Sequence, residues 1–446
     1  MWKTIQNAFK VPDIRNKLLF TLFIILIFRI GSAIPVPFID ATALKNFFNG
    51  AGGEYDYFNY INLMTGDALS KATIFSMSIT PFINASIIMN LLTVAITPLG
   101  RLAKEGEEGR KKINAYTRYL TVVIALVQAT AFYFILRNGA AGTTTGGIIK
   151  SQYMTGFASW FVAIVIIALF TAGAAIIMWL GEQINEKGLG NGISMILFAG
   201  IISRGPAAFD MLRKLWLMGS DEPSYYIIVP VIVVLFVLII AGIVVITEAE
   251  RRIPIQYAQR VVGRKMYGGQ SSYFPIKVNM SGVMPIIFAS SFMSLPGMIR
   301  TFFNIQPGTG GFWNGFFQVF SYQHPVYAVL FFILIMLFNF FYVQIQYNPI
   351  EIANNLRKNN GAIHGIRPGK PTSDYIAKIL FRITFIGAIF LGIIAVFPIF
   401  SSMAIPAAGN LALGGTSVLI LVGVALETVR TLESSLMMRH HKGFLE

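Results

Sequence analysis

The chain has 446 residues, of which 55% are hydrophobic and only 12% charged, and its mean hydropathy is +0.65. Such a balance excludes a soluble globular domain and a disordered chain, and several apolar runs are longer than a soluble core needs, so the protein is read as integral to a membrane. It has no cysteine, which excludes disulfides and thiolate metal sites, and its net charge of +15 turns attention to where the basic residues fall.

A helical span takes about 20 residues at roughly 1.5 Å each to cross about 30 Å of hydrocarbon. Ten runs answer to that length: residues 18–34, 74–96, 115–136, 157–180, 193–209, 225–247, 278–299, 327–346, 376–400 and 416–432. The first follows Lys3, Lys10, Arg15 and Lys17 and reaches Ile34 without a small-residue cleavage site, so it reads as a retained span and not as a removable signal. The fifth is interrupted by Arg204, Gly205 and Pro206, which leaves a re-entrant segment as its alternative. Ten spans put both ends on one side. With both ends inside, 26 of the 35 Lys and Arg residues fall in inner segments and eight in outer loops, so both ends are expected in the cytoplasm.

The spans carry an internal echo. Residues 81–86 read PFINAS and residues 285–290 read PIIFAS, one in the second span and one in the seventh, the second of each set of five. This placement suggests two inverted halves, residues 1–217 and 218–446. In the echoed spans Asn84, Ser86, Asn90, Ser290, Ser291 and Ser294 are costly toward lipid and should face other helices or water. They read either as ordinary helix-to-helix glue or as a seam that opens, with Pro81 and Pro285 weakening the backbone ladder near one end. Ile83 and Ile87 lie one turn apart, as do Ile193 and Leu197. Periodicity leaves open whether these faces are core or a collar that closes a passage by dewetting.

Two loops are larger than topology requires, residues 248–277 and 347–374, with basic, Gly-rich tips that carry Arg264, Lys265, Arg357, Lys358 and Arg367. Clustered cations of this kind attract an acidic partner or an RNA backbone, although positive-inside topology alone also enriches such loops. No GxxxxGK[ST] phosphate loop, no HExxH and no Ser-His arrangement within the spans appears, so an enzyme is not indicated. The remaining alternative, a secondary solute transporter with inverted repeats, would place ionisable groups at mid-membrane; Glu182, Glu248 and Glu427 lie toward span ends, and Arg29 reads as a structural or snorkelling charge.

Six stretches, taken in order, resemble one family nearly end to end: PFINASIIMNLLT at 81–93, GRLAKEGEEGRKKINAYTRY at 100–119, GEQINEKGLGNGIS at 181–194, KVNMSGVMPIIFASSFM at 277–293, NNLRKNNGAIHGIRPGKPT at 354–372 and GGTSVLI at 414–420. The chain is similar to the SecY/Sec61-alpha family of protein-conducting channel subunits. The resemblance implies an all-α, polytopic fold of ten transmembrane helices in two pseudo-symmetric halves of five around a central pore. It implies a gated channel for unfolded secretory polypeptides that also releases hydrophobic segments sideways into lipid. By motif, the pore ring would be Ile83, Ile87, Ile193, Leu197, Ile287 and Ile420, with Leu197 in place of the more usual isoleucine. The lateral gate would hold Pro81, Asn84, Ser86, Asn90, Pro285, Ser290 and Ser291, with Asn90 where the family usually has glutamine. A plug, at about residues 55–70, would include Tyr57, Phe58, Ile61, Leu63 and Met64, and is the poorest match. The five basic loop residues would dock a cytosolic partner. Implied partners are the small membrane subunits SecE and SecG, the motor ATPase SecA, the ribosome, secretory preproteins with their signal peptides, and membrane lipid. No cofactor, metal or catalytic residue is implied, and the implied location is the bacterial plasma membrane.

Overall fold

The structure is a computed structural model that describes residues 6, 8–40, 42–44, 62, 65–138, 148–153, 156–220, 223–257, 260–262, 265–267, 271–302, 312–320, 324–404 and 415–440. Among these, fourteen α-helices run in chain order: α1 (Pro12–Gly31), α2 (Thr80–Ala95), α3 (Thr97–Lys104), α4 (Glu107–Asn138), α5 (Phe157–Lys187), α6 (Gly192–Ile202), α7 (Gly205–Met218), α8 (Tyr225–Glu248), α9 (Met284–Phe302), α10 (Phe312–Val319), α11 (Pro325–Gln346), α12 (Pro349–Lys358), α13 (Lys370–Ala404) and α14 (Gly415–His440). Each of the ten predicted runs falls on a helix or a helix pair. Among the described residues six helical units can cross a membrane by length and apolar composition, and the bent pair α2–α3 makes a seventh. The fold is that of a multi-pass membrane protein, mostly helical.

Proline does much of the punctuation. Helices α1, α2, α3, α7, α11 and α12 all begin with proline in the first turn, where its fixed φ suits the helix and its missing N–H is no loss. This overturns one expectation: Pro81 and Pro285 lie in the first turns of α2 and α9, so they start those helices and do not weaken their ladders. It also moves two boundaries. The second span does not begin at residue 74, because residues 65–79 form a buried, irregular segment in which Ala72 and Ser78 take positive φ (43° and 48°). The seventh starts at Met284, not 278, after a strand that ends at Lys277 and a turn at Gly282 (φ 63°). At its other end α2 stops at Ile96, whose extended backbone turns the chain by 102° into α3. The fifth run extends to Met218 and is interrupted at Ser203 and Arg204, between α6 and α7.

Helix α11 packs on α13 and α9, α4 on α5 and α2, and α14 on α8, α6 and α13. Only Val229 and Ile243 of α8 are fully buried, with Phe236, Ile239, Ile240 and Val244 partly buried against the core, so much of its remaining apolar surface is left for lipid. The two large loops depart from an all-helical reading. Strands β1 (Glu250–Tyr257) and β4 (Ser271–Lys277) form an antiparallel ribbon with Ile253 opposite Phe274, and β2 (Arg260–Val262) and β3 (Lys265–Tyr267) a short hairpin. Strand β5 (Gly361–Ile363), from the second loop, pairs with β1 through Ile255 opposite Ile363. The loops that look independent in sequence are therefore one three-stranded sheet, β4-β1-β5.

Candidate functional site

The six proposed ring residues come from four helices and meet in one apolar cluster. Ile83 and Ile87 of α2, Leu197 of α6, Ile287 of α9 and Ile420 of α14 are buried members, and Ile193 is half-buried against them. Sequence reasoning did not single out Ile79, Ile286 and Leu419, members of the same cluster that are at least as well buried. Branched apolar side chains gathered from four helices exclude water because they offer it no hydrogen bond.

Local chemistry sets the position of α6. The Asn191 side chain caps the helix by accepting from the backbone N–H of Ile193 at 3.1 Å, and Asn185 Oδ1 accepts from Gly192 N at 2.7 Å. Gly190 takes the left-handed conformation (φ 77°). Gly192 is a close approach: a Cβ there would lie 2.0 Å from the Gly181 carbonyl oxygen of α5. The GEQINEKGLGNGIS stretch is thus a turn that presses the start of α6 onto α5 and aims Ile193 and Leu197 into the cluster.

The two helices that carry the PFINAS and PIIFAS echo pack against each other, α2 on α9. At this seam Asn84, Ser290, Ser291 and Ser294 are buried, and Ser86 and Asn90 half-buried. The serine hydroxyls are turned inward: Ser290 Oγ donates to the Ile286 carbonyl at 2.8 Å and Ser294 Oγ to the Ser291 carbonyl at 2.6 Å. Those two serines are therefore satisfied inside α9 and do not glue it to α2. A buried network does brace the approach to α9, where Ser281 Oγ donates to Asn339 Oδ1 and Asn339 Nδ2 donates to the Thr384 carbonyl at 3.1 Å, tying the turn before α9 to α11 and α13.

A cavity of about 540 Å³ opens beside the ribbon, lined by Asn191, Lys277, Asn279, Tyr342, Glu427 and Arg430 among others. Arg430 bridges α14 to α8, with Nη2 2.9 Å from Glu248 Oε1 and 2.8 Å from the Thr247 carbonyl. At the cavity edge, partial burial pushes the Lys277 ammonium below the ordinary lysine range, and the nearby Arg430 charge adds to it. Arg118 of α4 and Glu182 of α5 pair at 2.7 Å.

Of the basic loop residues, Arg357 and Lys358 end α12, exposed, and Arg367 is exposed in the following turn, its carbonyl accepting from Thr372 Oγ1 at 2.8 Å. Lys265 opens β3, opposite Val262. Through β5 and β1 these elements belong to one platform. Arg264 and the plug residues Tyr57, Phe58, Ile61, Leu63 and Met64 lie outside the described residues.

A family model described as SecY matches residues 73–429. The chain belongs to the SecY family. Relatives named protein translocase subunit SecY are 40% identical over 450 residues in Streptomyces galbus and 41% over 449 in Bacillus subtilis strain 168, with both chains covered in full. Among solved structures the SecY-family fold is matched by a protein conducting channel at TM-score 0.62 and 18% identity, and by Sec61 of a canine ribosome-channel complex from the endoplasmic reticulum at TM-score 0.60 and 18% identity; each comparison covers 94% of this chain and 92% of the other. A third, at TM-score 0.59, is a SecY protein whose plug domain stabilises the closed state of the translocation channel.

Proposed function

We propose that this SecY-family chain is a gated protein-conducting channel that passes unfolded secretory polypeptides across the bacterial plasma membrane and releases hydrophobic segments sideways into lipid. The observation that carries this reading is the meeting of Ile83, Ile87, Ile193, Leu197, Ile287 and Ile420 from four helices in one apolar cluster, beside a contact between α2 and α9. A collar of branched side chains blocks water and ions while yielding around a chain in transit. The α2–α9 seam, with Asn84, Ser86, Asn90, Ser290 and Ser291, is the lateral exit, and an apolar signal segment partitions through it because lipid solvates it better than water does. Residues 1–217 and 218–446 are the two halves that part, and the plug includes Tyr57, Phe58, Ile61, Leu63 and Met64.

The channel itself is passive: its chemistry is conduction, and the work comes from a docked partner, a motor ATPase of the SecA kind or the ribosome. Exposed Arg357, Lys358 and Arg367, with Arg264 and Lys265 of the 248–277 loop, form the docking face, and a basic platform of this kind steers acidic protein or RNA. Both termini face the cytoplasm, by the distribution of Lys and Arg, and small subunits of the SecE and SecG kind clamp the two halves.

The test places single cysteines in this cysteine-free chain at Ile287 and at Leu337, which is 56% exposed on α11, and one in the middle of a stalled precursor. In membranes with motor and ATP, disulfides should form at position 287 and not at 337. Equal crosslinking at the two positions, with the precursor demonstrably engaged, would return the isoleucines to ordinary packing.

A further inference from the structure

Arg204 interrupts the fifth apolar run, and the structure gives it a partner. Its Nε lies 3.3 Å from Asp67 Oδ1, both side chains being partly exposed (21% and 31%). The same carboxylate oxygen accepts from Asn62 Nδ2 at 3.1 Å, and Asn62 Oδ1 in turn accepts from Ser70 N at 3.0 Å, so Asn62 and residues 65–70 close around Asp67. This small loop is seated on the end of α6. A Cβ at Gly66 (φ 64°) would meet Ser203 Oγ at 2.3 Å and the Gly200 carbonyl oxygen at 2.6 Å, so its backbone lies directly on the last turn of the helix. Thr65, Ala68 and Leu69 beside it are buried.

Among the described residues Arg204 Nε has no hydrogen-bond partner, so charge attraction joins it to the carboxylate without a hydrogen bond. Such a contact holds at close range and releases without leaving a directional bond broken. Arg204 stands seven residues beyond Leu197, about 10 Å along a helix that rises about 1.5 Å per residue. The contact therefore sits just beyond one end of the apolar cluster, on the helix that supplies two of its six ring residues.

We infer that Asp67 and Arg204 are positioning residues that form a releasable catch, holding residues 65–70 on the end of α6 in the resting state and so setting how readily the passage opens. The inference rests on the channel reading. Neither residue touches the moving polypeptide; they act by fixing where the segment before α2 lies.

The test uses the full chain with its small membrane subunits in planar bilayers in KCl, and compares wild type, D67N, D67R, R204D and the charge-swapped D67R/R204D. D67R and R204D should raise the resting conductance by about fivefold, D67N by about twofold, and the swapped pair should return to within about twofold of wild type. As ionic strength rises, the ratio of D67N to wild-type resting conductance, each measured at the same salt, should fall toward one, a response that damaged packing would not produce. Resting conductance in D67N and D67R equal to that of wild type would overturn the catch, and so would a swapped pair as leaky as its parents. Precursor-dependent conductance in wild type is scored in the same bilayers. Its absence would overturn the channel reading, whereas its presence beside silent variants would overturn the catch alone.

Discussion

Replacing Gly192 by alanine should displace the start of α6. The added Cβ would lie 2.0 Å from the Gly181 carbonyl oxygen, 2.8 Å from the Gly181 carbonyl carbon and 2.9 Å from Ile184 Cβ, three atoms that belong to the rigid frame of α5 and cannot swing aside. Restoring ordinary contact with that oxygen requires a separation of more than about 1 Å between α5 and α6, and overpacking on this scale costs roughly 1–3 kcal/mol. Two neighbouring glycines serve as controls. Gly190 has φ 77° and nothing within 4 Å of a built Cβ, so G190A should cost about 1 kcal/mol, from the left-handed backbone alone. Gly181 lies inside α5 with its nearest non-local atom, Ile196 Cδ1, at 3.6 Å, so G181A should be neutral or stabilising by up to about 1 kcal/mol through helix propensity. Thermal melts of the three variants, followed by circular dichroism in one detergent, should rank the midpoints G181A, then G190A, then G192A. Disulfide formation between cysteines at 87 and 193 should also change in G192A only. A G192A protein as stable as G181A would refute the argument that close approach of α6 to α5 aims Ile193 and Leu197.

Ser78 combines a positive φ of 48° with a buried hydroxyl that has no partner among the described residues, so S78G should stabilise the protein by about 1–2 kcal/mol, read as a rise in melting midpoint. Asn339 is buried and holds both Ser281 and Thr384; N339A leaves the Ser281 hydroxyl and the Thr384 carbonyl in apolar surroundings and should cost about 2–4 kcal/mol, with S281A milder, in the same melts. Asp40 Oδ1 accepts from the backbone N–H groups of Thr42 at 2.8 Å and Ala43 at 3.3 Å, which lowers its pKa below 3.8, with Lys150 assisting. A depressed carboxylate contributes stability above its unfolded pKa and loses it as pH falls through the folded value. Wild type should therefore lose more stability than D40N below about pH 4, and parallel acid limbs for the two proteins would contradict this.

How much of this was legible in the sequence depends on the range of the forces involved. All ten apolar runs were visible because burying about 20 apolar residues in lipid needs no tertiary information, and each falls on a helix or helix pair, of which six or seven among the described residues are long and apolar enough to cross a membrane. Their starts were not all visible. Residues 74–79 are as apolar as the helix that follows, yet left-handed Ala72 and Ser78 keep the chain irregular, and only Pro81 marked the true beginning of α2. The ring assignment rests on motifs alone: Ile83 and Ile87 have ordinary core periodicity, and their sharing one apolar cluster with Ile420, more than 300 residues away, is a tertiary fact. The pairing of β5 with β1 was invisible for the same reason, since three residues of GAI carry no signal for a partner a hundred positions earlier. Arg204 was noticed as an interruption, but its partner Asp67 drew no attention among the loop residues around it.

The inward-turned hydroxyls of Ser290 and Ser294 bear on what could stand between α2 and α9. A seam stitched by cross-helix hydrogen bonds would, on parting, leave donors facing hydrocarbon, and each such group costs several kcal/mol. These two serines would carry their satisfaction with them if α9 moved. At those positions the resistance to a wedge is a matter of volume and shape, so a lipid tail, a leucine-rich segment or an apolar small molecule of similar girth would meet the same welcome, and the seam would discriminate among its guests by how well they fill it.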